Sequence, residues 1–256
     1  MKALLSAFSG DNRTRDVLLV LVVSVLLWEA AVVVFQPPII FLPPPSAVWA
    51  EFMSSPGIFL KHMGYTLSTT AVAFALSVIF GVILAVCIVQ SPFLERTVYT
   101  LLVALNSVPK VALAPLFIVW LGIGAESRLS FAVFISFFPV VIATLAGLDN
   151  VDRNLLRLCR ALRASEWQVF RDVRLPFALP YVFSGMKIAT TFSIIGVIVG
   201  EFITSQAGLG YLVLFAAAQA ETELIFAAVA VLCAFGLVFY GAIALIEIQL
   251  RRRFGA

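Results

Sequence analysis

The chain has 256 residues, of which 62% are hydrophobic and 12% charged, against about 45–50% apolar and about 25% charged in soluble domains. With a mean hydropathy of +1.08, this excludes a soluble globular domain and describes one helical membrane domain. Net charge is only +3, so nucleic acid is not an expected partner; Cys87, Cys159 and Cys233, with His62 as the sole histidine, support neither a disulfide framework nor a metal site.

Apolar stretches long enough to span a bilayer, about 20 residues each, fall at Val17–Phe35, Gly64–Gln90, Thr97–Ala125, Leu129–Leu148, Ala178–Ile203 and Leu224–Ile246. The expected fold is therefore all-α, with about six transmembrane helices and both termini on one side. The first stretch follows Arg13, Arg15 and Asp16 and runs into Gln36, Pro37 and Pro38 instead of a small-residue cleavage site, which reads as an uncleaved anchor. Pro37, Pro38 and Pro43 to Pro45 predict a stiff extended link, and Ser46 an N-cap for a short helix through Phe52. Pro109, Lys110 and Pro115 interrupt the third stretch and predict a kinked or broken helix. Phe202–Ala220 also lacks basic residues, but Ser205, Gln206, Gly208, Gly210 and Gln219 mark it as a re-entrant or surface helix, not a seventh crossing.

Direction follows from the basic residues. With the amino end inside, inside segments hold 13 of the 17 Lys and Arg, outside segments hold Lys61 and Arg128, and Lys110 and Lys187 lie within spans. The positive-inside rule thus selects cytoplasmic termini: a segment 1–16, a membrane domain 17–250 with an inside loop at 149–177, and a tail 251–256.

That loop carries its own periodicity. Leu155, Leu158, Cys159 and Leu162 follow i, i+3, i+4, i+7, with Arg153, Arg157, Arg160 and Arg163 roughly opposite. Ser165 opens a second helix through a capping box with Gln168; Trp167, Phe170 and Val173 form its apolar stripe, and Pro176 and Pro180 end it. Two readings fit: an interfacial helix whose arginines meet anionic headgroups, or a rigid docking surface that receives force from a soluble motor.

The stretch from Arg160 through Ala161, Leu162, Arg163, Ala164, Ser165, Glu166 and Trp167 to Ala189 resembles the EAA loop of bacterial binding-protein-dependent ABC importer permeases. Phe41–Val48, Pro109–Gly124, and Gly200-Glu201-Phe202 followed by Gly208-Leu-Gly-Tyr-Leu212 resemble the nitrate, sulfonate and taurine branch, and the Pro109-Lys110 pair also resembles the branch moving pyrimidine-type vitamin precursors or flavin. The resemblance implies a type I importer permease fold in a bacterial cytoplasmic membrane and a homodimer. It implies docking of one cytoplasmic ATPase per subunit, through Arg157, Arg160, Ala161, Arg163, Ala164, Ser165, Glu166 and Trp167. It also implies a periplasmic or lipid-anchored binding protein that delivers a small polar solute. ATP and Mg would be bound by the partner; this chain has no GxxxxGK[ST] phosphate loop, and no cofactor is expected on it. Where the family usually has Glu, Ala, Ala and, further on, Gly, this sequence has Arg157, Leu158, Cys159 and Arg163; Thr69 stands where arginine is frequent.

Charges inside a membrane each cost at least about 2.5–3.5 kcal/mol and are functional candidates by default. On the fifth span Ser184, Lys187, Thr190, Thr191 and Glu201 share one face, expected to meet the pathway, while Gly185, Gly196 and Gly200 share the other, expected to pack closely on a neighbour. Lys187 and Glu201 also fit structural pairing. Asn106 and Lys110, at the break of the third span, are further pathway candidates. Glu29 reads as interfacial. A stand-alone carrier or channel remains the alternative, and a membrane enzyme lacks a nucleophile–base pair.

Overall fold

The computed structural model describes residues 11–254, which are almost entirely helical, with no strand among them. Residues 1–10 of the expected N-terminal segment and 255–256 of the tail lie outside the described residues. In chain order the helices are α1 (Asp11–Phe35), α2 (Pro45–Ser54), α3 (Pro56–Gln90), α4 (Pro92–Asn106), α5 (Lys110–Leu121), α6 (Ala125–Asp149), α7 (Arg153–Ala161), α8 (Glu166–Thr204), α9 (Leu209–Gln219) and α10 (Thr222–Phe254). α1, α3, α6, α8 and α10 are long and apolar enough to cross a bilayer, and the bent pair α4–α5 makes a sixth if counted as one span.

α6 is the centre of the bundle, packed most extensively on α8 and then on α3. The α6–α8 seam is built from glycine. A Cβ on Gly196 would lie 2.6 Å from the Ala132 Cα, and one on Gly185 would lie 2.9 Å from the Pro139 carbonyl oxygen. The expected glycine face thus meets a neighbour, and backbone approach replaces the hydrophobic drive that is absent between helices in lipid. Toward α3, the hydroxyls of Ser77 and Ser136 meet at 2.6 Å across a fully buried contact. α1 stands at the side of this bundle, with Val32 its one buried apolar residue among those described.

The third span is broken, as expected, by a 92° bend between α4 and α5: Pro109 lacks an amide hydrogen and disfavours helix at Val108, and the chain restarts through a 3-10 turn at Lys110–Leu113. Three expectations change. The proline link is not extended throughout: Ile39 to Phe41 form a turn, with the Phe41 amide donating to the Pro38 carbonyl at 2.9 Å, while Pro44 keeps extended backbone angles. Ser46 is not an N-cap, because Pro45 starts the helix and Pro44 occupies the cap. Pro176 and Pro180 do not end the second loop helix, since α8 continues from Glu166 to Thr204, with Pro180 inside it and a π turn at Phe170–Arg174. The expectation for Phe202–Ala220 agrees with the structure: α9 has 11 residues, about 16 Å of helix, too short for a core about 30 Å thick.

Candidate functional site

The loop expected to dock a partner is a rigid corner. Asp152 caps α7, its Oδ1 accepting from the Asn154 amide at 2.8 Å. At the other end the Arg163 amide donates to the Arg160 carbonyl and the Ala164 amide to the Cys159 carbonyl, both at 3.0 Å. This is the pair of bonds of a Schellman motif, whose turn residue is usually glycine. Here it is Arg163, at φ +55°, a left-handed conformation that costs a residue with a Cβ about 1–2 kcal/mol. Two residues on, Ser165 and Gln168 complete the expected capping box: the Ser165 amide donates to Gln168 Oε1 at 2.8 Å, and the Gln168 amide to Ser165 Oγ at 3.3 Å.

From this cap α8 runs without interruption into the bundle. The buried Val169 anchors its first turn. Arg157, Arg160, Ala161, Arg163, Ser165, Glu166 and Trp167 are exposed, and Ala164 is half-buried. The apolar face of α7 is present but uncovered within the chain: Leu158 and Leu162 at its C-terminal end are 54% and 73% exposed, as is Trp167 in the first turn of α8 at 67%, and α7 packs extensively on no other helix.

The residues proposed from sequence for a pathway do not form one cluster. Lys110 Nζ donates to the Asn106 carbonyl and to Asn106 Oδ1, both at 2.9 Å. It thereby caps the last turn of α4, where cations are favoured, and lies 4.9 Å from the Phe138 ring centroid. On α8, Lys187 forms an ion pair with Glu247 of α10 at 2.8 Å; Ser184, Lys187, Thr191 and Tyr240 line a cavity of about 380 Å³. Thr190 does not belong to this surface, being buried with its hydroxyl on the Lys187 carbonyl at 2.7 Å.

Glu201 lies apart from Lys187, buried near the C-terminal end of α8. Its Oε1 accepts from Thr66 Oγ1 at 2.8 Å and its Oε2 from the Gly210 amide at 2.7 Å. Thr66 Oγ1 in turn accepts from the Leu209 amide at 2.8 Å, and the Gly208 amide donates to His62 Nδ1 at 3.0 Å. Nearby, Arg128 bonds Ser205 and shares with Glu201, Tyr65 and Thr69 the lining of a polar cavity of about 320 Å³. The first turn of α9 is therefore held by side chains of α3 and α8, the Gly210 amide meeting a carboxylate and the Leu209 amide a hydroxyl.

Sequence reasoning missed Glu247, which lies one residue beyond the predicted end of the last span. It is the sole acid between Glu223 and the C-terminus, and that isolation was the available signal. Thr66 carried no signal that set it apart from Ser68, Thr69 and Thr70 on the same helix.

Residues 77–252 match the family model for the binding-protein-dependent transport system inner membrane component. The formylaminopyrimidine transport permease protein ThiX of Halalkalibacterium halodurans is 30% identical over 87% of this chain and 89% of its own length. The riboflavin transport system permease protein RibX of Chloroflexus aurantiacus is 33% identical over 89% and 85%, and the taurine transport system permease protein TauC of Escherichia coli 28% over 80% and 77%. In fold, the chain superposes on a chain of the MetNI methionine ABC transporter in an inward facing conformation. The TM-score is 0.61 at 20% identity, covering 74% of this chain and 92% of that one. With four motifs in matching order on a helical bundle of five or six spans, the chain belongs to the binding-protein-dependent transport system inner membrane component family, as an ABC importer permease of the branch that includes ThiX, RibX and TauC.

Proposed function

We propose that the chain is the membrane-spanning subunit of an ATP-driven importer, working as a homodimer with cytoplasmic termini in a bacterial cytoplasmic membrane. A separate binding protein delivers a small polar solute, of the sulfonate or the vitamin-precursor kind named for its relatives, and a cytoplasmic ATPase drives its passage. The observation that carries this reading is the corner from α7 into α8. Its turn and cap are closed by backbone and side-chain hydrogen bonds, its apolar residues are exposed, and it is the first turn of a helix that continues through the bundle. Displacement applied at Trp167 is thereby transmitted along 39 residues of helix instead of being absorbed by a loop. The basic residues of the 149–177 loop support the same orientation.

The test is a mild-detergent pull-down of the tagged chain from native membranes with mass spectrometry of what stays bound, followed by reconstitution. Recovery of a Walker-type ATPase in equal amount, with uptake dependent on ATP, is the expected result. Ala161→Glu and Ala164→Glu, which put bulk and negative charge on the corner, should lose the ATPase while the spans stay folded. Recovery of the chain alone, active in proteoliposomes with an ion gradient and no ATP, would instead identify a secondary carrier.

A further inference from the structure

We propose that the corner selects its ATPase by charge: Arg157, Arg160 and Arg163 recognise carboxylates on the rim of an acidic groove whose floor takes Leu162 and Trp167. The proposal rests on the reading of the chain as an ATP-driven permease and adds the chemistry of the partner surface. All three arginines are exposed. None takes part in an ion pair among the described residues, although the chain pairs Arg171 with Asp172 and Lys187 with Glu247. On α7 the spacing of Arg157 and Arg160 places them on one side of the helix, away from Leu158 and Leu162. Arg163 then leaves the helix through its left-handed turn, four residues before the exposed Trp167.

Two features favour a shaped protein partner over anionic headgroups. First, Arg163 occupies the position of the Schellman turn where glycine would be free of strain. A strained side chain at an exposed corner points to a role in what it contacts outside the chain. Second, the Schellman turn and the capping box fix where Arg163 and Trp167 lie relative to each other. A lipid surface attracts cations from a flexible loop equally well, whereas a groove with carboxylates at set positions reads that fixed spacing.

The experiment uses the full chain in nanodiscs of neutral lipid and the ATPase recovered with it from native membranes, recognised by its phosphate-loop sequence. Affinity is measured for wild type, Arg157→Glu, Arg163→Glu and Arg163→Gly between about 0.05 and 0.5 M NaCl. Each reversal should weaken binding about tenfold or more at low salt, with the difference shrinking as salt rises. Arg163→Gly removes the charge while relieving the backbone, so it should weaken binding several-fold with helix content and thermal midpoint unchanged or raised. A compensating Asp→Arg or Glu→Arg on the ATPase, at the residue that crosslinks to position 157, should restore the Arg157→Glu variant. Wild-type affinity in all three variants would overturn the proposal and leave the permease reading standing, and so would a loss confined to binding of phosphatidylglycerol vesicles. A wild-type chain that recruits no ATPase would overturn both.

Discussion

The Glu201 carboxylate accepts a hydrogen bond from the Gly210 amide at 2.7 Å, tying the end of a long span to the start of the short helix that follows it. The geometry explains why Gly200-Glu201-Phe202 and Gly208-Leu-Gly-Tyr-Leu212 occur as one motif. Gly208 sits at φ +114°, a region open to glycine alone, and a Cβ there would run into the Glu201 carboxylate. Gly208→Ala should therefore cost roughly 2 kcal/mol or more, read as a lowered thermal midpoint in detergent. Gly57→Ala, where a Cβ meets nothing within 4 Å, should change it little. Equal midpoints for the two variants would mean that the clasp does not hold α9.

The Lys187–Glu247 pair is the second long-range tie, joining α8 to α10 at 2.8 Å. Removing one partner takes this ion pair away from the other, which is largely buried, and breaking a buried pair costs about 3–5 kcal/mol. Lys187→Met and Glu247→Gln should each destabilise the bundle more than the double variant does, a sign that only coupled residues give. Thermal unfolding of the four proteins closes the cycle; additive losses would mean that the two side chains do not act together.

Close packing of α6 on α8 makes the third prediction. Gly196→Val places a branched side chain where a Cβ alone would come 2.6 Å from the Ala132 Cα, so the helices must separate along the seam. Overpacking costs about 1–3 kcal/mol even where the neighbours can give way, and here one neighbour is backbone. The variant should express poorly and sediment as aggregate, whereas Gly64→Ala, facing open space, should yield wild-type amounts of monodisperse protein.

What was legible in the sequence is what depends on near neighbours along the chain. The capping box needs Ser165 and Gln168 alone, and the glycine face of α8 needs only the helical repeat. The partner of Lys187 depended on which helix packs alongside, 60 residues away in sequence, and helical periodicity carries no such information. Ser46 shows a local rule overridden by another: Pro45, with its fixed φ, is preorganised for the first helical position, so the helix starts one residue before the serine could cap it. The orphaned Ser46 amide donates instead to Glu29 Oε2 at 3.0 Å, and its hydroxyl to Oε1 at 2.8 Å. Glu29, expected at the interface, thus caps a helix that is 16 residues downstream. The turn at Arg163 was legible only through the glycine usual at that position in the family, since an arginine carries no turn signal of its own.

The capping box itself gives the last prediction. Ser165→Ala removes the acceptor of the Gln168 amide, a change worth about 1 kcal/mol at a helix N-terminus. The spans do not depend on it, because the buried contacts of α8 begin at Val169 and continue in α6 and α3. Helix content and thermal midpoint should then stay near wild type while the first turn of α8 frays. If the corner transmits force as a rigid element, the loss will appear in transport: ATP hydrolysis by the bound partner should persist, but fewer solute molecules should be moved per ATP in proteoliposomes. Ser165→Asp keeps a side-chain acceptor at the cap and should restore the ratio. An unchanged ratio in Ser165→Ala would show that the corner works without its cap and that force enters the bundle elsewhere.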